Sequence, residues 1–199
     1  MQTEELDNLL EAYRELYPNQ RPWIYLDEIQ NIIGWENQFT CIKGLFGVFE
    51  EAYLFFPLPN LVSPMTEQMT IQKRYMVDNG LLNLFLFNGE TKLLENMVAI
   101  ELNRRFRNTP EDTLLYYYNK TIEIDFCVPS ERLAIQVAYN LGDTTTYERE
   151  VGGITRFLKV FPAYQGLIIT RDEEKEISLE HHTIQVIPIW KWLLSSTLK

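Results

Sequence analysis

The stretch 121–140, "TIEIDFCVPSERLAIQVAYN", decides the fold. Two apolar runs flank a Pro-Ser-Glu-Arg connector. Side chains alternate along a strand. Ile122, Ile124, Phe126 and Val128 are therefore expected on one face, with Glu123 and Asp125 on the other. On the second run, Leu133, Ile135, Val137 and Tyr139 share a face, opposite Ala134, Gln136 and Ala138. Paired in the expected register, the two strands bring Asp125, Gln136 and Ala138 to one face. The small Ala134 and Ala138 leave room for a helix to approach closely.

The flanking segments extend this pair into a domain. Lys92–Phe106 reads as a helix, and Leu114–Tyr118, Ile122–Val128 and Leu133–Tyr139 as three strands. Thr145–Phe161 reads as a second helix. Its apolar stripe is Val151, Ile154, Leu158 and Phe161, and Thr145-x-x-Glu148 fits a capping box. Gly166–Thr170 is a short apolar strand. A last strand, Thr183–Ile187, precedes a helix carrying Trp190 and Trp192. The order α-β-β-β-α-β predicts an α/β protein with a mixed sheet and helices packed on it. Upstream, residues 3–17 read as a helix and 23–27 as a buried strand, and "FFPLPNLVSP" (55–64) as a strand followed by a connector. A boundary is expected near residues 60–70.

Composition narrows the function. The chain has 199 residues, 46% of them hydrophobic, which is enough for a sizeable core. Lys and Arg number 18 against 28 Asp and Glu, a net charge of −10. That balance argues against loose, charge-driven binding to nucleic acid or anionic membrane. Cys41 and Cys127 lack metal-ligand spacing and read as free thiols in a reducing compartment. The acidic N-terminus has no signal-peptide pattern, and no apolar run approaches the ~20 residues that span a bilayer. A cytoplasmic location with no membrane partner is the expectation.

The segment "WIYLDEIQNIIGWE" (23–36) is an apolar run ending in Asp27 and Glu28. In an ATPase such a strand tip holds the magnesium and the water-activating carboxylate. It works only beside a phosphate-binding loop, whose backbone N–H groups cradle the phosphates. No G-x-x-x-x-G-K-[ST] occurs in the chain, and "NGETKLL" (88–94) has the wrong spacing. ATP binding is therefore not expected, and Asp27 and Glu28 read as a solvated acidic strand end.

Several segments together resemble a known family. "YLDEIQNIIGWE" is similar to the Walker B segment of a group of prokaryotic AAA-type ATPases. "RYMVDNGLLNLF", "KLLENMVAIELNRR", "YYYNKTIEIDFCV", "LAIQVAYNL", "TYERE" and "GLIITRDEE" resemble that group's C-terminal domain of unknown function. That domain is related to the PD-(D/E)xK, restriction-endonuclease-like fold. The resemblance implies an ATPase remnant at 1–60 and a nuclease-like domain at 66–199. It implies a truncated, internally deleted relative that lacks the phosphate loop, the sensor segment and the arginine finger.

In that fold a hairpin strand supplies an Asp, and the next strand supplies Glu/Gln-x-Lys. The carboxylates hold divalent metal on oxygen ligands, and the Lys places positive charge near the attacked phosphate. The resemblance assigns Asp125 to the Asp, Gln136 to the acid and Ala138 to the Lys. An acid on the first helix completes such sites, and Glu95 fits it. Glu95 also needs a reason of its own. Val98, Ala99 and Leu102 surround it on the helix, an apolar sector where an unpaired carboxylate is costly. Glu101, with Arg104 and Arg105 at i+3 and i+4, reads as a solvated surface pair.

The departure lies in the chemistry. Gln136 offers an oxygen without charge, and Ala138 offers nothing. Glu95, Asp125 and Gln136 thus form a degenerate candidate site, with Glu123 nearby. Asp125 and Glu95 are the candidate metal ligands, for loosely held Mg²⁺ or Mn²⁺. Lys120 and Lys159 are candidates for a relocated lysine. Arg104, Arg105 and Arg107 are candidate phosphate contacts, although cations also simply suit a helix C-terminus. His181 and His182 read as a turn, and the tyrosines of "LLYYY" as packing on both sides of a sheet. The leading expectation is a pseudo-nuclease: a non-catalytic binding or interaction module whose partner is a protein, a second copy of itself, or DNA. The alternative is a metal-dependent DNA nuclease with an altered site, and a folded relic is the third reading.

Overall fold

The computed structural model describes residues 53–68, 71–84, 89–106, 115–179 and 181–195. All lie in the second of two units into which the chain divides, Tyr53–Lys199. In chain order the elements are β1 (Phe55–Pro59), α1 (Met65–Gln68), β2 (Gln72–Met76), α2 (Asn79–Asn83) and α3 (Glu90–Phe106). Then come β3 (Tyr116–Asn119), β4 (Glu123–Val128), β5 (Leu133–Val137), α4 (Thr144–Val160), β6 (Gln165–Thr170), β7 (Lys175–Ser178), β8 (Thr183–Pro188) and α5 (Ile189–Leu194).

Six strands form a mixed sheet in the order β3-β4-β5-β6-β8-β7. The β3–β4 and β4–β5 pairs are antiparallel, and the β5–β6 and β6–β8 pairs are parallel. A parallel neighbour requires a crossover, and α4 supplies it between β5 and β6. The run α3-β3-β4-β5-α4-β6 carries the α-β-β-β-α-β order expected from the sequence. The α/β class with a mixed sheet is as expected. Strand β7, antiparallel to β8, is an addition that its charged sequence hides.

Both sheet faces are covered. On one, Val98, Ala99 and Leu102 of α3 and Trp192 of α5 meet Phe126, Ile135, Val137 and Leu167. On the other, Val151, Ile154, Phe157 and Leu158 of α4 meet Ala134, Ala138, Ile168 and Ile184. The small alanines do sit beneath the second helix. Gly166 extends that close approach. A Cβ there would lie 2.6 Å from Ile154 Cγ2 and 3.3 Å from Leu158 Cδ1. Tyr117 packs on the first face and Tyr118 on the second, so the tyrosines of β3 do serve both sides.

Two local expectations need correction. Strict alternation fails in β4: Ile124 and Cys127 belong to the α4 side, but Phe126 and Val128 belong to the α3 side. The cause is a bulge. Tyr116 opposes Cys127 and Tyr118 opposes Ile124, so β4 carries one residue more than β3 over this span. A bulge breaks the period of two and re-aims the side chain within it. Asp125 lies in that stretch. The cap of α4 also differs. Asp143 is the N-cap, accepting from the Thr146 N–H at 2.8 Å, in place of the expected Thr145–Glu148 box. A short aspartate one residue before the first turn reaches that donor directly.

The β1–β2 hairpin has its two strands, Phe55–Pro59 and Gln72–Met76, on either side of the boundary expected near residues 60–70. The unit that holds the site begins at Tyr53. Asn60 fastens the hairpin to the sheet: its amide donates to the Asn119 carbonyl at 2.9 Å and accepts from the Asn119 N–H at 3.1 Å. The Leu61 N–H donates to the Tyr117 carbonyl at 2.8 Å.

Candidate functional site

The site begins with strand β2. Its period of two puts Lys73 and Tyr75 on the same side. Helix α3 is held against this strand by Asn96, which is buried. The Asn96 Oδ1 accepts from the Met76 N–H at 2.9 Å, and its Nδ2 donates to the Met76 carbonyl at 3.0 Å. Nδ2 also donates to Asn79 Oδ1 at 2.8 Å, and Asn79 in turn donates to the Leu93 carbonyl at 2.9 Å. The residue before Asn96 is Glu95. Its Oε1 accepts a hydrogen bond from the Tyr75 hydroxyl at 2.7 Å. This is the structural partner that its apolar sector demanded.

Lys73 is the centre of the cluster. Its Nζ lies 2.6 Å from Glu123 Oε1 and 3.8 Å from both Glu95 Oε1 and Asp125 Oδ1. It also lies 5.5 Å above the Tyr117 ring. Burial alone would lower the pKa of this ammonium. The Asp125, Glu95 and Glu123 carboxylates outweigh burial and hold it above the ordinary lysine value.

Asp125 is the most constrained acid. Its Oδ2 accepts from the backbone N–H of Val137 on β5 at 2.8 Å. Burial pushes its pKa well above the usual carboxylate range. The Glu95 and Glu150 carboxylates push the same way, against Lys73 and the Val137 bond. Burial and the Glu95 charge likewise raise the Tyr75 phenol.

Gln136 occupies the far side of Asp125. Its Oε1 accepts from the Asp125 N–H at 3.2 Å, and its Nε2 donates to Glu150 Oε2 at 2.5 Å. Glu150, on α4, is 3% exposed. Its other oxygen accepts two bonds from the Arg149 guanidinium, at 2.6 and 2.9 Å. A continuous polar chain thus runs Tyr75–Glu95–Lys73–Asp125–Gln136–Glu150–Arg149.

The structure therefore brings together Glu95, Asp125 and Gln136, the three candidates, with Glu123 beside them. It does not bring Lys120 or Lys159 to Asp125; the lysine at the cluster is Lys73. Lys73, Tyr75, Asn96 and Glu150 escape the sequence reading. Glu150 had a legible signal. It sits four residues before Ile154, inside the apolar stripe of its helix, as Glu95 does in α3.

The remaining candidates lie elsewhere. Glu101 is buried, not solvated. Arg104 and Arg105 both turn onto it, with bonds of 2.6 to 2.8 Å. Those guanidinium bonds hold its carboxyl below the usual range against burial. Arg105 also donates to the Trp192 carbonyl at 3.1 Å and lies 4.5 Å over the Trp192 ring. Arg105 thus ties α3 to α5. Arg107, Asp27 and Glu28 lie outside the described residues. His182 sits in the β7–β8 turn, where its carbonyl accepts from the Leu179 N–H at 2.8 Å. Cys127 is a free, buried thiol. No helix among the described residues is long and apolar enough to cross a membrane. Comparison of the chain with family models, with curated proteins and with solved structures found no match.

Proposed function

We propose that this chain is a non-catalytic binding or interaction module built on a restriction-endonuclease-like core, without ATPase activity of its own. The element order and the parallel β5–β6 pair across α4 support the fold reading. One observation carries the functional reading. Every side chain that the nuclease pattern assigns to chemistry is already engaged by the protein itself. Glu95 accepts from Tyr75, Asp125 from Val137, and Gln136 spends its amide on Glu150. The lysine position of the pattern is Ala138, buried beneath α4.

A network satisfied throughout rigidifies a core and specifies its geometry. That suits a scaffold presenting its outer surface to a partner. The partner classes are a protein, a second copy of the chain, or a DNA end or branch.

The deciding experiment incubates the chain with labelled linear and branched DNA in magnesium and in manganese, reading anisotropy and cleavage together. The expected result is no cleavage. Cleavage that Asp125→Ala abolishes would replace this reading with an altered-site nuclease. Salt-sensitive binding without cleavage would identify DNA as the partner. Micromolar ATP binding would overturn the ATPase half of the proposal.

A further inference from the structure

The donor set can be tested against the metal that the resemblance implies. Hard divalent ions take oxygen ligands at about 2.0–2.6 Å and favour several carboxylates around one point. Here the shared point of Glu95, Glu123 and Asp125 faces an ammonium, with all three carboxylates within 3.8 Å of Lys73 Nζ. Gln136 turns its only oxygen to the Asp125 N–H. Among the described residues, no three carboxylate, imidazole or thiol groups are disposed to hold a metal ion. The residues do not fit the metal.

We infer that the Lys73 ammonium permanently takes the place of the divalent ion, making the cluster a closed, metal-independent one. The inference rests on the nuclease-like reading of the scaffold. Three further features carry it. First, Lys73 is not a free-swinging surface side chain. It projects from β2, whose antiparallel register with β1 runs from Phe55–Met76 to Pro59–Gln72. Asn96 then clamps the end of that strand to α3 through both backbone groups of Met76. The ammonium is thus delivered by paired backbone. Second, its surroundings suit a fixed cation, with three carboxylates and the Tyr117 ring around it. Third, Ala138 packs beneath α4, on the opposite side of the sheet from Tyr75 and Tyr117 that flank Lys73, so the residue at the pattern's lysine position brings no competing cation to these carboxylates.

A consequence follows for the isolated acids. Removing the Lys73 charge vacates that space and frees Glu95, Glu123 and Asp125, which are not disposed to hold a metal with the ammonium between them, to converge on an ion there. A set of three carboxylates is the composition a hard divalent ion prefers. Lys73→Met keeps much of the apolar stem and removes the charge. It is therefore expected to create divalent-ion affinity that the wild type lacks.

The test is thermal unfolding of the whole chain in EDTA and in millimolar Mn²⁺. Wild type is expected to melt at the same temperature in both. Lys73→Met is expected to melt lower in EDTA and to regain several degrees in Mn²⁺. Adding Asp125→Ala to that variant should abolish the regain. A Lys73→Met protein that gains nothing from Mn²⁺ overturns the inference. Should that variant not fold, paramagnetic resonance of Mn²⁺ titrated with wild type decides the matter. The free-ion signal should stay undiminished, and a loss that Asp125→Ala reverses overturns the inference. Mn²⁺ binding by wild type without DNA cleavage would overturn only this inference. Mn²⁺-dependent cleavage would overturn the proposed function as well.

Discussion

Asn96 pairs with the Met76 backbone as a neighbouring strand would, accepting from its N–H and donating to its carbonyl. One buried amide thereby fixes where α3 meets β2, and so where Glu95 meets Tyr75 and Lys73. Asn96→Ala would strand both Met76 groups without partners. A loss of about 3 kcal/mol is expected, because each buried polar group left unmade costs about 1–3 kcal/mol. Urea unfolding measures it, and a loss under about 1 kcal/mol would show that the clamp is incidental.

Glu150 tests the other end of the chain of polar contacts. Glu150→Ala leaves the Gln136 amide and the Arg149 guanidinium without their acceptor. The expected cost is about 2–3 kcal/mol. Glu150→Gln retains a carbonyl oxygen for Gln136 and should cost clearly less. Equal losses for the two variants would mean that charge, not the hydrogen bond, is what Glu150 supplies.

Asp125 makes stability depend on pH. Its pKa is raised in the folded protein. The folded state therefore holds a proton that the unfolded chain has already released. Stability from this source is present at low pH and is lost as pH rises from the ordinary carboxylate value through the folded one. Asp125→Asn keeps an oxygen for the Val137 N–H but cannot titrate. Denaturation midpoints measured from about pH 4 to neutral should fall less steeply with pH in the variant. An unchanged slope would assign the pH dependence to other groups.

Gly166→Ala probes the packing of α4. The added methyl would meet Ile154 Cγ2 at 2.6 Å, and a β-branched side chain in a packed core has little freedom to yield. Overpacking of this kind costs about 1–3 kcal/mol. Ile154→Leu in the same chain, which removes the Cγ2 methyl, should recover part of the loss if that contact causes it. Thermal unfolding of the single and double variants reads the coupling directly.

Arg104 and Arg105 share Glu101 but differ in consequence. The Arg105 side chain is 13% exposed and also holds the Trp192 carbonyl and ring, whereas that of Arg104 is 70% exposed. Arg105→Ala is expected to cost about 1–3 kcal/mol through the lost charged hydrogen bonds and stacking. Arg104→Ala should cost far less, since exposed ion pairs contribute little. Equal effects in urea unfolding would show that α5 docks without Arg105.

The order of elements from Lys92 to Thr170 was legible because hydrophobic periodicity is a property of each segment alone. Glu95 was legible for the same reason: its apolar neighbours lie on its own helix. Glu150 answers to that logic equally, since it interrupts the stripe ending in Phe161. The β4 bulge was not legible. "IEIDFCV" alternates without fault for five residues, and only the residue count of the facing strand reveals the extra one.

By itself the sequence determined an α/β chain with a mixed sheet and a carboxylate, Glu95, set in the apolar sector of a helix. Only the tertiary structure decided that Lys73 stands among Glu95, Glu123 and Asp125. A lysine in a short polar strand reads as surface charge. Its partners lie on α3 and β4, and they meet only once β2 pairs with β1 and Asn96 closes on Met76. Periodicity reports one segment's own preference, whereas an ion cluster depends on the relative positions of several segments, which packing alone sets.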